Sequence, residues 1–264
     1  MLTGASSGIG LAAAREFARR GARLALVGRD AARLAQAAEE VRATGAQASA
    51  YPCDFASLAN VRELASTLRE AYSRIDLLVN NAGGVIPTYG VTEDGFERTM
   101  QINHLSPFLL TNLLRDRVGG GRIINTASTA HSAGEIDPDN LNASPQQYRM
   151  FIVYGTTKQA NIMFTAEAAR RWPEIKSYCY HPGVVRSGFG RDSSVVSAFY
   201  KYAPFLRSPE KGADTMLWLA EQPAESLVDG AYYADRKIKQ PTTATRNATT
   251  AAALWEASQK AVAL

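Results

Sequence analysis

Tyr154 and Lys158 stand four residues apart in YGTTK, inside a stretch whose pattern predicts a helix, so both side chains leave one face and can reach a single bound molecule. A free phenol, with a pKa near ~10, is a poor acid or base at neutral pH; a neighbouring ammonium favours the phenolate and lowers that value. The pair therefore reads as a proton donor to a carbonyl or a proton acceptor from an alcohol. Ser128 ends the strand-like run RIINTAS, at the carboxyl end where open parallel sheets place ligands. Its hydroxyl can hydrogen-bond a reacting oxygen and stabilise charge developing there. A nucleophilic Ser128 with His131 or His181 as base is the rival arrangement, but no G-x-S-x-G elbow surrounds it.

A second group lies at the start of the chain. In TGASSGIG, Gly4, Gly8 and Gly10 keep a G-x-x-x-G-x-G spacing and lead at once into the helical LAAAREFARR. Such glycines permit a tight turn, close backbone approach to a pyrophosphate and close packing of helix on strand, while the helix N-terminus offers free N–H groups to phosphate. About twenty residues on, where an acidic residue usually holds the adenine ribose, stand Arg29 and Asp30. Asp30 on the ribose would mean NAD. Arg29 beside the 2′ position would pair with a 2′-phosphate and select NADP. Asp30 also suits the N-cap of AARLAQAAEEVR, which favours Arg29 and NADP, with NAD as the alternative.

The elements that must position these groups alternate. Strand-like runs fall at Arg23 to Val27, Gln47 to Pro52, Asp76 to Asn80, Arg122 to Ala127, Lys176 to His181 and Ala231 to Tyr233, with helical stretches beginning near Gly8, Asp30, Ser57, Thr92, Gln147 and Pro209. That alternation predicts a doubly wound α/β domain, a mostly parallel sheet covered on both faces. With 264 residues, 46% hydrophobic, and no repeat, low-complexity tract or linker, one domain spanning the whole chain is expected. Residues 236 to 250 read as a polar surface excursion, and the last segment as an amphipathic helix anchored by Leu254 and Trp255. A net charge of +4 without a basic run gives no footprint for nucleic acid. Two cysteines and three scattered histidines suggest neither a disulfide framework nor a zinc motif, and no apolar run reaches membrane-spanning length; a cytoplasmic protein is expected.

In order, TGASSGIG, Cys53-Asp54, NNAG (Asn80 to Gly83), Ile102-Asn103, INTAS (Ile124 to Ser128), YGTTK (Tyr154 to Lys158) and HPG (His181 to Gly183) resemble the short-chain dehydrogenase/reductase family over nearly the whole chain. The phrases GEIDPDNLN, KQANIMFT and HPGVVRSGFGR are similar to its retinol-dehydrogenase-like branch, whose members interconvert lipophilic carbonyls and alcohols. The resemblance implies a Rossmann-type fold and hydride exchange with NADP. It implies Tyr154 as general acid–base, Ser128 on the substrate oxygen, Lys158 tuning Tyr154 and holding the nicotinamide ribose, and Asn103 completing a water relay through its main-chain carbonyl. It places the cofactor against Gly4, Ser6, Ser7, Gly8, Ile9, Gly10, Arg29, Asp54 at the adenine, Asn81, Ala82 and Gly83, and Pro182, Gly183, Val185 and Ser187 at the nicotinamide end. Thr129 falls outside the motif and is read as a loop residue. The apolar stretch 187 to 208 corresponds to a substrate lid, and many relatives are dimers or tetramers through the helices holding Asn103 and Tyr154.

Two features add physics of their own. In a helix the N–H at i+4 would occupy the Asn103 carbonyl, but that residue is Pro107, which has none; the carbonyl is expected to stay open for water. The phosphate loop, in turn, is preceded only by Met1 and Leu2. A first strand normally has ~5 residues whose burial is worth roughly 5–10 kcal/mol, against a total stability of ~5–15 kcal/mol. Two residues are therefore expected not to replace it. An apparently truncated strand leaves a second reading open, a weakly folding, non-catalytic relative that acts by binding a partner.

Overall fold

The computed structural model describes residues 1–185 and 206–264, so Ser187 and nearly all of the expected lid lie outside the described residues. The strands are β1 (Leu2–Thr3), β2 (Leu24–Gly28), β3 (Ala48–Pro52), β4 (Leu77–Asn80), β5 (Arg122–Thr126), β6 (Lys176–His181), β7 (Tyr232–Ala234) and β8 (Lys237–Ile238). They lie in the order β3-β2-β1-β4-β5-β6-β7-β8, parallel except for the β7–β8 pair. β2 to β7 begin and end within one residue of the runs read from the sequence.

Buried side chains alternate across the sheet with the period of a strand. Leu24, Leu26, Val79, Ile124, Tyr178 and Tyr180 enter a core beneath α1 (Gly8–Arg19), α2 (Ala31–Arg42) and α8 (Pro209–Glu221). Ala25, Val27, Leu78 and Ile123 enter the opposite core, under α3 (Leu58–Ala71), α5 (Ser106–Leu113), α7 (Met150–Arg171) and the closing helix α9 (Ala248–Ala261). The doubly wound layering expected from the alternation is thus present.

The first strand is short, two residues beside the five of β2 and four of β4. It nevertheless pairs on both sides: Leu2 with Leu26 and Val79, Thr3 with Val27. The ladder continues through Val79 N–H to Met1 O at 3.0 Å and Ala5 N–H to Val27 O at 3.0 Å. These bonds seat the loop between β2 and β4, while the strand itself has the two-residue length that the sequence leads one to expect.

Helix starts follow their caps. Asp30 accepts from Arg33 N–H at 3.0 Å, Ser57 from Asn60 N–H at 3.4 Å and Ser208 from Lys211 N–H at 3.3 Å. The helix expected near Thr92 begins instead at α4 (Arg98–Met100). Thr92 closes a turn with Phe96, and the buried Glu97 carboxylate accepts from Thr99 and Met100 N–H, so the cap lies five residues later. Residues Pro145–Gln147 form a 3₁₀ turn, and α7 starts at Met150. The segment read as a polar excursion carries β8: Asp235 and Arg236, both in the left-handed region (φ 51° and 60°), make a two-residue hairpin turn. Ion pairs from Asp235 to Arg207 and from Arg236 to Asp214 hold this unfavourable backbone in place.

The closing helix seats Leu254 and Trp255 as expected. Trp255 packs at 5.0 Å, 5.1 Å and 5.6 Å between the ring centroids of Trp172, Phe108 and Phe164. Removing so large a buried ring from a packed cluster costs ~3–5 kcal/mol. Trp255→Ala is therefore expected to lower the unfolding free energy by about that amount in urea melts.

Candidate active site

The glycine loop turns away from β1 through Gly4 (φ 67°), and a Cβ on Gly10 would fall 2.1 Å from the Gly4 carbonyl oxygen. Only glycine lets the first turn of α1 pack against its own loop. Thr3 fastens the far side: its Oγ1 donates to Val79 O at 3.2 Å and accepts the N–H groups of Asn81 at 3.0 Å and Ala82 at 2.9 Å. Asn81 donates its amide to Thr3 O at 3.1 Å, so this side chain braces the loop. Ser7 caps α1 with no side-chain bond and no acid sits in the first turn, which leaves N–H groups and the positive helix end available to an anion.

At the end of β2, Arg29 is exposed while Asp30 is engaged by Arg33, whose Nε lies 2.8 Å from its carboxylate. Cys53 N–H bonds Gly28 O at 3.0 Å and so brings Asp54 alongside; one Asp54 oxygen accepts from Ala56 N–H at 2.9 Å. Val185 is brought to Ile9 by Gly212 of α8, where a Cβ would lie 2.7 Å from Val185 and 3.1 Å from Ile9. Pro182 and Gly183 (φ 84°) turn the chain just beyond β6. The loop, the end of β2 and the turn after β6 thus all lie at the carboxyl ends of strands β1, β2 and β6.

Ser128 follows β5 and caps a 3₁₀ turn, Thr129–Ala133, accepting from Ala130 N–H at 3.2 Å. This turn presses on α7 at Gly155, where a Cβ would fall 2.4 Å from the Ala130 oxygen. The approach brings Ser128 to the helical turn that carries Tyr154. Thr129 is exposed whereas Ser128 is half-buried. His131 Nδ1 lies 2.7 Å from the main-chain oxygen of Ser128, to which it donates, and burial pushes His181 down to about 4. A serine–histidine nucleophile is not what His131 forms here.

Lys158, one turn after Tyr154, is 3% exposed and donates to Thr126 O at 3.1 Å. Its Nζ lies 5.4 Å from the centroid of the Tyr154 ring. Burial pushes this ammonium down from 10.5 to about 8. Asn103 sits in a π-helical turn, Gln101–Leu105, between α4 and α5. Its side chain clamps Gly84, accepting from N–H and donating to O, each at 2.9 Å, and donates to Thr157 Oγ1 at 3.1 Å. The Asn103 carbonyl differs from expectation: Pro107 does withhold an N–H, but the amide of Asn161 donates to that oxygen at 3.1 Å. A carbonyl has two lone pairs, and the Asn161 amide takes one of them.

With the glycine loop, the carboxyl-end cleft and the Ser128, Tyr154 and Lys158 group in place, the comparisons are decisive. The family model for short chain dehydrogenase matches residues 1–195. The chain belongs to the short-chain dehydrogenase family. It is 52% identical over 263 residues to the Streptomyces sp. (strain C5) protein named "Putative daunorubicin C-13 ketoreductase DnrU", covering 99% of this chain and 91% of that one. Human retinol dehydrogenase 13 is 36% identical over 278 residues, covering 100% and 84%. Among solved structures, the Pseudomonas aeruginosa RhlG/NADP active-site complex is 28% identical with a TM-score of 0.70, covering 89% and 93%. The chain is therefore a retinol-dehydrogenase-like short-chain dehydrogenase/reductase and an oxidoreductase of carbonyls and alcohols.

Sequence reasoning passed over three groups: Thr3, Asn161 and the Thr126 carbonyl. Asn161 alone left a signal, its place three residues after Lys158 on the same helical face.

The buried lysine has a measurable consequence. Unfolded Lys158 keeps its proton to about pH 10.5 and the folded side chain releases it near 8, so between those values the unfolded chain binds more protons and stability rises with pH. Comparing wild type with Lys158→Met in urea melts, the difference should move in favour of wild type by up to ~3 kcal/mol from pH 7 to the upper end of that window.

Proposed function

We propose that this short-chain dehydrogenase reduces a lipophilic ketone or aldehyde with NADPH. The observation that carries the reading is the buried Lys158, held by Thr126 O at 3.1 Å with its Nζ beside the Tyr154 ring. A fixed positive charge there favours loss of the phenolic proton, so Tyr154 would give that proton to a carbonyl oxygen as it becomes an alkoxide. Ser128 would hold the same oxygen by a hydrogen bond that strengthens as charge develops. Asn103 would offer its main-chain oxygen to a water reaching toward Lys158.

The cleft suits a dinucleotide. Gly4, Ser6, Ser7, Gly8, Ile9 and Gly10 with the uncapped end of α1 would hold the pyrophosphate. Asp54, Asn81, Ala82 and Gly83 would line its adenosine side. Pro182, Gly183 and Val185 would meet the carboxamide, with Lys158 on the ribose and Ser187 carried over from the family. When bound, the nicotinamide supplies the hydride. Arg29, exposed beside an Asp30 already engaged by Arg33, supports NADP over NAD, as does the name of the RhlG/NADP complex.

The Streptomyces relative is named as a ketoreductase, which favours a ketone as substrate. Phe151, one turn before Tyr154 and 55% exposed, and the Tyr89–Tyr148 pair with centroids 5.7 Å apart just before α7 are aromatic surface that would suit a lipophilic substrate. Among the described residues no helix is long and apolar enough to cross a membrane. The two free buried cysteines suit a reducing, cytoplasmic setting, and a homodimer or homotetramer would follow family habit.

The test is a panel of ketones and aldehydes assayed separately with NADPH and NADH. Tyr154→Phe should lower kcat for the best substrate by about 10²–10⁴-fold while NADPH binding is kept. Arg29→Ala should weaken NADPH binding by about 10- to 100-fold and leave NADH nearly unchanged. Turnover that survives Tyr154→Phe, or ester cleavage in its place, would overturn the reading.

A further inference from the structure

One buried polar chain is left unused by this mechanism. It begins at Ser258 on α9, whose Oγ lies 2.9 Å from His104 Nε2. It continues from His104 Nδ1 to Asn161 Oδ1 at 3.3 Å, and from Asn161 Nδ2 to Asn103 O at 3.1 Å and Thr126 O at 3.3 Å. Thr126 O is also the acceptor for Lys158. Ser258, His104, Asn103, Lys158 and Asn161 are all buried.

The chemistry of the two carbonyls sets the direction of every bond. Carbonyl oxygens only accept, so the Asn161 nitrogen must face them and its oxygen must face the imidazole. That oxygen requires a proton on His104 Nδ1. Nε2 then carries the bare lone pair, which accepts from the Ser258 hydroxyl. His104 lies immediately after Asn103 in the π-helical turn, so the turn that presents the Asn103 carbonyl also presents the group that orients its donor.

We propose that Asn161, oriented by His104 and Ser258, is a positioning residue that fixes the Asn103 carbonyl and shares the Thr126 carbonyl with Lys158, linking the closing helix to the reaction centre. Its importance for turnover rests on the role given to Lys158 above; the bonding pattern does not. Two donors share the lone pairs of one oxygen, so each weakens the other's bond. Taking Asn161 away gives Thr126 O wholly to the ammonium, and a carboxylate in its place adds a negative neighbour. Both changes make Lys158 hold its proton more tightly. Among the described residues, the other titratable groups facing Lys158 are the Tyr154 phenol on its own helix and the Cys179 thiol on β6, which burial pushes up to about 12. The imidazole itself stays neutral, since burial pushes His104 down to about 4.

NMR on the full chain separates the possibilities. ¹⁵N-histidine spectra at neutral pH should show His104 as the Nδ1–H tautomer. A pH titration of the lysine ε-methylene signals, with Lys158 assigned by its absence in Lys158→Met, should give a midpoint raised by at least about one pH unit in Asn161→Asp and by a smaller amount in Asn161→Leu. Ser258→Ala, distant from Lys158 and small in volume, serves if the Asn161 variants do not fold: it should leave the Nδ1–H tautomer, shift the Nε2 resonance that loses its donor, and move Lys158 in the same direction by less. An Nε2–H tautomer in wild type, or a Lys158 midpoint equal to wild type in the folded variants, overturns the inference. A shifted midpoint in a chain whose wild type reduces no carbonyl would sink the functional reading and leave this one standing.

Discussion

Everything in the site is arranged around one costly constraint, an ammonium group buried beneath the sheet's carboxyl edge. Taking Lys158 out of water disfavours its charge, and among the described residues that cost is offset by a main-chain oxygen, Thr126 O, at the last residue of β5. That oxygen is in place only because β5 is clamped between β4 and β6, and Lys158 reaches it only because α7 lies across the sheet. The buried amides repeat the theme: Asn80 donates to Asn125 Oδ1 at 2.9 Å, and Asn125 donates to Thr165 of α7 at 2.9 Å. Helix and sheet are thus joined by directional bonds where the rest of their interface is apolar.

The second constraint is close approach. Gly10 lets a helix touch the loop it grew from, and Gly155 lets the Ser128 turn rest on the helix beside Tyr154. At both places a methyl group would fall on a main-chain oxygen, which cannot swing aside as a side chain can. These contacts decide where the hydroxyls and N–H groups point, whereas the aromatic cluster around Trp255 only holds α9 and α7 together. Sheet, glycines and buried lysine form one construction: the sheet supplies an edge, the glycines bring loops to it, and the lysine charges it.

Much of this was legible from the chain because it depends on local rules. The strand runs, the Asp30 cap, and glycines at forced turns are properties of short segments, and each appears where the sequence places it. What escaped depends on pairings far apart in sequence. Asn161 advertises a helical face, but its acceptors lie 35 and 58 residues away and become neighbours only once β5 and the π-helical turn meet α7. Pro107 correctly signals a missing N–H and is silent about the side chain that replaces it. The β7–β8 hairpin was hidden because Asp-Arg lacks the glycine that usually supplies a left-handed turn; its conformation is held by ion pairs from α8 and the chain before it. Thr92 looked like a helix start because hydroxyl caps and turns share the same residues.

The coupling between the buried ammonium and Tyr154 is the claim on which the rest depends, and the pH dependence of kcat/KM for carbonyl reduction addresses it most directly. Wild type should show a falling limb at alkaline pH, as Lys158 loses the charge that supports proton donation, and Lys158→Met should be slow with that limb absent. A limb that persists in Lys158→Met, or a wild-type rate that ignores the loss of the Lys158 proton, would contradict it.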